Sequence, residues 1–382
     1  MTDSKELFRA LELAHYAQRF RGNVFVIALP EATSFQELLL DFKVLAGYHI
    51  QLVLVTQDPA FNLERIISLA NQRGARFQLS LLTDLLFRPE EEALQLDFPR
   101  VHASLAEGRT PVIAYHGSLP AEPAEDAGID PTFALAAEVA ARLGASKLFL
   151  VSPLAAALRE ALPSTSVQAG DMEGLAETLH QAGLAHAEPL CAFVQSQLAR
   201  GIPDLVLLEG RRAQLFQEVF TYDGAGILFT ATRASRIRPA QMKDVTDIAL
   251  LLRAEIEAGR ILPVNEDAIA EAIDSYWIYE IDGMPAGLAC LKRFGTDAEL
   301  AQFATLPRYR GKGRARELAA YLAEQARAQG MRRVFALSID ARMWAFFRAL
   351  GFEEVERGEL PDDWRRGYDF SRPSRAFRKE LQ

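Results

Sequence analysis

Asp297-Ala-Glu-Leu-Ala-Gln-Phe-Ala-Thr-Leu-Pro-Arg-Tyr-Arg-Gly-Lys-Gly-Arg314 is the stretch on which the fold of the second half of this 382-residue chain turns. Residues 297–305 read as a strand closed by Leu306-Pro307. Residues 314–329 read as an amphipathic helix with Leu318, Tyr321, Leu322 and Ala326 on one stripe. Between them lies a basic turn, Arg308-Tyr309-Arg310-Gly311-Lys312-Gly313. A helix start presents backbone N–H groups without intrahelical partners at the positive end of its dipole, and glycine lets backbone approach an anion. With Arg310, Lys312 and Arg314 adding fixed charge and Tyr309 lying inside the loop, the stretch reads as a pyrophosphate cradle for a nucleotide-type cofactor. Taken alone, it reads equally well as a basic strand-to-helix turn.

The flanking sequence adds context. Ile278 to Lys292 reads as two strands joined by a turn at Asp282-Gly283, Arg333 to Ser338 as another strand, and Trp344 to Phe352 as a helix running into a glycine cap at Gly351 and a final strand. This order, with Arg-x-x-Gly-x-Gly between strand and helix, resembles the acetyl-CoA-binding signature of the GNAT N-acetyltransferases. The resemblance implies acetyl-CoA as co-substrate, held by Arg308, Tyr309, Arg310, Gly311, Lys312, Gly313 and Arg314. Backbone N–H groups around Phe303 and Ala304 would then receive the acetyl carbonyl.

Composition narrows the classes. Apolar residues make up 49% and charged residues 24%, as in ordinary globular proteins. No apolar run has the length of a membrane span, and Met1-Thr-Asp-Ser-Lys lacks the form of a signal peptide, so a cytoplasmic protein is expected. Cys191 and Cys290 are far apart and read as buried free thiols of a reducing compartment. From Arg233 onward 25 Lys/Arg face 23 Asp/Glu, whereas the first 232 residues carry 17 against 28. That balance suits an anionic small molecule in the second half and argues against a nucleic-acid partner. All six histidines lie in the first half, at 15, 49, 102, 116, 180 and 186, and no Cys/His cluster has metal-ligand spacing. No metal is expected, and chemistry in the second half falls to carboxylates, hydroxyls and backbone groups.

The first half alternates strands with helix-length segments. Strands are expected at Asn23–Leu29, Ile50–Val55, Pro111–Tyr115, Lys147–Val151 and Leu205–Leu208, with helices at Phe35–Ala46 and about 131–143 and 189–200. Short buried apolar runs in this arrangement imply a mostly parallel sheet between helices, hence an α/β fold, with Leu119 to Asp126 as a surface loop. The boundary falls near residue 233, giving domains 1–232 and 233–382.

Glu218-Val-Phe-Thr-Tyr-Asp-Gly-Ala-Gly226 feeding the second half resembles the junction of the bacterial N-acetylglutamate synthases, which join an amino acid kinase-like domain to a GNAT domain. The N-terminal segment around His15-Tyr16 and the closing segment Tyr368 to Leu381 are similar as well. The resemblance implies acetylation of the α-amine of L-glutamate, the first step of arginine biosynthesis, in a homo-oligomer built through the N-terminal domain. It implies Glu299 as the base, Ser338 as the acid for the thiolate, and Lys292, Arg372 and Ser374 as acceptor contacts. Arg365 and Arg366 read either as substitutes for an arginine that members carry where this chain has Trp364, or as a solvated loop. Val264-Asn265 is a second departure from an arginine position. At the end of the first strand Ala28-Leu29-Pro30-Glu31 replaces the lysine and glycine pair of the kinases, so phosphoryl transfer is not expected. Tyr16, Glu218, Gly224 and Gly226 match positions of a regulatory L-arginine site, while Glu218 reads equally as a helix-end residue beside a glycine turn. Acetylation of another amine and a non-catalytic acetyl-CoA or arginine sensor stay open as alternatives.

Overall fold

The computed structural model describes residues 10, 13–57, 63, 67, 68, 71, 79–82, 86–88, 93–95, 98–115, 129–162, 164–221, 224–231, 235–281, 284–311 and 313–381. The turn expected at Asp282-Gly283, the loop at 119–126, Asp223 and Lys312 lie outside the described residues. The chain divides into two compact units, Met1–Thr232 and Arg233–Gln382.

The first unit holds strands β1 (Val24–Leu29), β2 (Gln51–Gln57), β3 (Leu79–Leu82), β4 (Leu86–Arg88), β5 (Ala93–Gln95), β6 (Thr110–Tyr115), β7 (Lys147–Val151), β8 (Ser166–Gln168), β9 (Asp204–Leu208) and β10 (Ile227–Thr230). Eight of them form one sheet in the order β3-β6-β2-β1-β7-β9-β10-β8. Among the described residues of that sheet only the β9–β10 pairing is antiparallel. As the unbroken apolar runs required, Phe25–Leu29 and Leu205–Leu208 are buried along their whole length. Alternate residues Val26 and Ala28 of β1 share a core with the helix Pro131–Leu143. The helix Ala32–Gly47 also packs on β1 and β2 and buries Phe35, Leu38, Phe42 and Leu45 at helical spacing. Its Asp41 accepts hydrogen bonds from the backbone N–H groups of Ala213, Leu215 and Phe216, satisfying donors at the start of the helix Gln214–Phe220. No described helix is long and apolar enough to cross a membrane.

The second unit adds β11 (Ser235–Pro239), β12 (Tyr276–Ile281), β13 (Met284–Phe294), β14 (Asp297–Thr305), β15 (Arg333–Ser338), β16 (Glu353–Val355) and β17 (Arg375–Glu380). They form a sheet in the order β11-β12-β13-β14-β15-β17-β16. β14 and β15 are its parallel pair, and they pair only over Asp297–Arg333, Ala298–Val334 and Glu299–Phe335. Beyond Glu299 the two strands part: β14 continues along β13, and β15 continues along β17. The helix Arg314–Ala328 packs on β13, β14 and β15 through Leu318, Leu322 and Ala326. On the same core, Phe347 of the helix Ala341–Ala349 meets Phe303, Phe352 and Phe377. The strand expected to end the sheet after Gly351 is joined by a further one, β17, inserted between it and β15. Adjacent residues Ala376 and Phe377 are both buried, because β17 is covered on both faces and shows no alternation.

A buried charge cluster ties β11 to β12 and to the helical turn Met242–Asp244. Arg238 donates to both oxygens of Asp244, at 2.9 and 2.7 Å, and through Nε to Glu280 at 2.6 Å, while Arg236 donates to the other oxygen of Glu280. Burial works against ionising either carboxylate. The hydrogen bonds from Arg238 to Asp244, and from Arg236 and Arg238 to Glu280, outweigh it and hold both below the usual carboxylate range. Carboxylates with depressed folded pKa values add stability above their unfolded values, about 3.9 for Asp and about 4.3 for Glu, and that stability is lost as pH falls through the lower folded values. All three tryptophans, Trp277, Trp344 and Trp364, lie in this unit, so their fluorescence reports its unfolding. The denaturant midpoint is expected to drop in acid below about pH 4. Arg238→Ala should cost about 3–5 kcal/mol at neutral pH and flatten that acid dependence, because it leaves buried Asp244 without its arginine and Glu280 with Arg236 alone. An unchanged acid limb in the variant would locate the acid-labile groups elsewhere.

Candidate active site

The fork between β14 and β15 opens into a cavity of about 670 Å³ within the second unit. Glu299 stands at the fork, at the last paired position, and lines the cavity. Lys292 is its cross-strand neighbour on β13 and lines the cavity too. Burial in this wall pushes the Glu299 carboxyl above the usual carboxylate range, against the opposing effects of the Lys292 charge and a hydrogen bond from the Trp364 indole. Trp364 is buried, stacks on Tyr368 at 4.3 Å and meets Phe335 edge-on. The Tyr368 hydroxyl and the Ser374 hydroxyl lie 2.5 Å apart.

At the loop end, Gly311 and Gly313 have φ of 77° and 76°, with open space where a Cβ would stand. They are required for the left-handed backbone, not for close packing. Glu317 N–H to Gly313 carbonyl is a hydrogen bond of the first helical turn, so the N–H groups that precede it have no intrahelical partner. Gly311 and Arg310 line the cavity. The side chains of the loop depart from expectation. Arg314 is buried, donates to the Tyr309 carbonyl at 3.0 Å and lies over the Tyr309 ring, whose own place is against the hydrophobic core. Both side chains are turned into the unit, because an aromatic ring and a guanidinium at this spacing satisfy each other. Arg310 donates to the Thr305 carbonyl and to Glu255, which also holds Arg260 at 2.5 Å. Arg308 is described in its backbone only, and Lys312 lies outside the described residues.

Ser338 lines the cavity, and its hydroxyl oxygen accepts the Asp340 N–H at 3.0 Å, which leaves the hydroxyl proton free to be donated. The cap of the following helix is Asp340, which accepts from the Arg342 N–H. Phe303 lines the cavity and Ala304 is buried beside it on β14. Arg372 and Ser374 also line the cavity, in a loop braced by Arg357, which donates to the Arg372 carbonyl at 2.7 Å. Among the cavity's charges, Glu255 is matched by Arg260 and Arg310, and Asp340 by Arg342. Arg372 and Lys292 line the cavity too, and neither makes an ion pair with a described residue. Arg365 and Arg366 are not brought here. They sit on a one-turn helix, Asp362–Arg366, paired with Asp362 and Asp363, and neither is among the residues that line the cavity. The residues of that helix that do line the cavity are Asp363 and Trp364, the latter counted in the sequence as a departure.

In the first unit, Glu218 is buried, and one of its oxygens accepts the N–H groups of Ala225 and Gly226, both at 2.8 Å. Gly224 has φ of 60°, and a Cβ at Gly226 would stand 2.6 Å from the Leu207 carbonyl. Glu218, Gly224 and Gly226 therefore come together as one tight turn that the carboxylate braces. Tyr16 is buried in an aromatic cluster, stacked on Phe20.

Residues 248–352 match the profile of the acetyltransferase (GNAT) family. An amino-acid acetyltransferase of Aeromonas salmonicida is 33% identical over 169 residues, 44% of this chain and 38% of that protein. One of Neisseria meningitidis serogroup A is 30% identical over 237 residues, 61% of this chain and 53% of that protein. The chain thus spans between about two fifths and about half the length of these curated relatives. The crystal structure of N-acetylglutamate synthase from Neisseria gonorrhoeae complexed with coenzyme A and L-arginine is similar in fold, with a TM-score of 0.59 at 22% identity. That likeness covers 97% of this chain and 98% of the other, so it takes in the folds of both units.

Proposed function

We propose, for a chain that matches the GNAT acetyltransferase family over residues 248–352, that it moves the acetyl group of acetyl-CoA to the α-amine of L-glutamate. The observation that carries this reading is the Glu299 carboxylate at the β14–β15 fork, with its proton affinity raised by burial, between a glycine-shaped helix start and two available cations. The likeness to amino-acid acetyltransferases supports the reaction class, and Lys292 and Arg372 support an acceptor with two carboxylates.

The backbone N–H groups around Gly311 and Gly313 hold the diphosphate, and the fork admits the thioester arm. Glu299 removes a proton from the acceptor ammonium, which frees the lone pair that attacks the acetyl carbon. N–H groups of β14 around Phe303 and Ala304 stabilise the oxygen as it gains charge, and Ser338 gives its hydroxyl proton to the departing thiolate. Arg372, with Ser374 beside it, fixes the acceptor's carboxylates. The Glu218 turn is already braced internally, so L-arginine enters this reading as an effector to be tested.

The test is steady-state release of CoA from acetyl-CoA with glutamate, with and without arginine, beside aspartate, glutamine and ornithine. Turnover confined to glutamate is the expected result. Turnover on a monocarboxylate in preference would retain acetyl transfer and overturn the acceptor.

A further inference from the structure

One residue of β14 has a backbone that its side chain does not favour. Gln302 has φ of 54°, in the left-handed region. It sits where the pairing register slips: Leu288 faces Ala304 and Cys290 faces Ala301, so β14 carries one residue more than β13 over this span. This is a β-bulge with its left-handed position filled by glutamine, where glycine is the residue that avoids steric strain. Such strain persists only where the surroundings over-determine it.

The surroundings are a cluster of three side chains. The Cys290 thiol donates to the Gln302 amide oxygen at 3.1 Å, and the Tyr276 hydroxyl is close enough to both side chains to be influenced by them. Tyr276 and Cys290 are cross-strand partners on β12 and β13, and both are buried. The next two residues of β14, Phe303 and Ala304, carry the N–H groups assigned to the acetyl carbonyl, on the part of the strand that β15 has left.

We infer that Gln302 is a positioning residue, clamped by Tyr276 and Cys290 so that the bulge aims the N–H groups of β14 at the acetyl carbonyl oxygen. The inference rests on the acetyl-transfer reading of the site. It concerns the carbonyl end of the reaction and not the proton taken from the amine, so its signature is separable from that of Glu299.

The experiment compares the full chain with Gln302→Ala, Gln302→Gly, Cys290→Ala and Cys290→Ser, each checked for folding by tryptophan fluorescence. Misaligned oxyanion donors should lower kcat roughly 10- to 100-fold in both Gln302 variants. The acceptor KM and the pH midpoint of kcat/KM should stay within about twofold, since neither depends on the carbonyl contact. Cys290→Ala should follow in the same direction, and Cys290→Ser, which keeps a donor, should restore most of the loss. Gln302→Gly separates the clamp from mere folding, because glycine adopts the left-handed backbone freely. Full turnover in Gln302→Gly, or in Gln302→Ala, would overturn the clamp while acetyl transfer stands. Absence of CoA release from the parent chain with every acceptor would instead overturn the reading of the site, and the clamp with it.

Discussion

Glu299→Gln is expected to lower turnover by roughly 10²–10⁴-fold, the range associated with loss of a positioned base. The substitution keeps the volume of the side chain and its place at the fork, so acetyl-CoA binding should persist, and a calorimetric titration checks this. The pH profile carries the finer signature. Burial raises the Glu299 pKa, so kcat/KM should climb with pH as the carboxyl loses its proton, with a midpoint above that of an ordinary glutamate. In Glu299→Gln that rising limb should vanish. Trp364→Phe keeps the stacked ring but removes an N–H that favours the ionised carboxylate, and should move the limb to higher pH. Retention of the parent rate by Glu299→Gln would mean that the amine arrives already deprotonated, and the role assigned to this carboxylate would be lost.

Arg372→Ala should raise the acceptor KM by roughly 10- to 100-fold while leaving the KM for acetyl-CoA unchanged. A charge-assisted hydrogen bond contributes about 1.5–3 kcal/mol, and a guanidinium offers two to a carboxylate. Arg372 is the cleaner probe of the two cations. Lys292 also faces Glu299 across the strands, so its removal would shift the base and the acceptor site together. Arg372→Lys should recover the charge but not the planar fork, and land between parent and alanine. Saturation curves in glutamate decide the matter, and an unaltered KM would place the acceptor's carboxylates elsewhere in the cavity.

The strand, turn and helix from Asp297 to Ala328 were legible because each signal is local: a proline stop, glycines at positive φ and a helical stripe. Glu299 and Lys292 could be read for the same reason, since strand residues near a known loop have few places to go. Arg365 and Arg366 could not. In Asp-Asp-Trp-Arg-Arg every charge finds its partner three residues away, and it is the single aromatic that turns inward, which the pattern of charges conceals. Nor does Gln302 announce a left-handed bulge, because the turn signal there would be glycine and the compensation comes from two other strands. In the first unit the parallel sheet followed from unbroken apolar runs, whereas β8, only three residues long, carries too little pattern to be seen.

The placement of β17 has a consequence for how this protein is made. It follows β16 in the chain but lies between β16 and β15, and the loop just ahead of it carries Arg372 and Ser374. On the ribosome, a nascent chain that has emerged through residue 355 carries β15 and β16 but lacks β17, the strand with which both pair. The unpaired edge of β15 then waits for some twenty more residues before it is covered, a window in which a holdase chaperone or another emerging copy has access to it. The cavity wall that carries Arg372 and Ser374 is thus completed late in synthesis, after the turn at Gly311 and Gly313 and the helix that follows it.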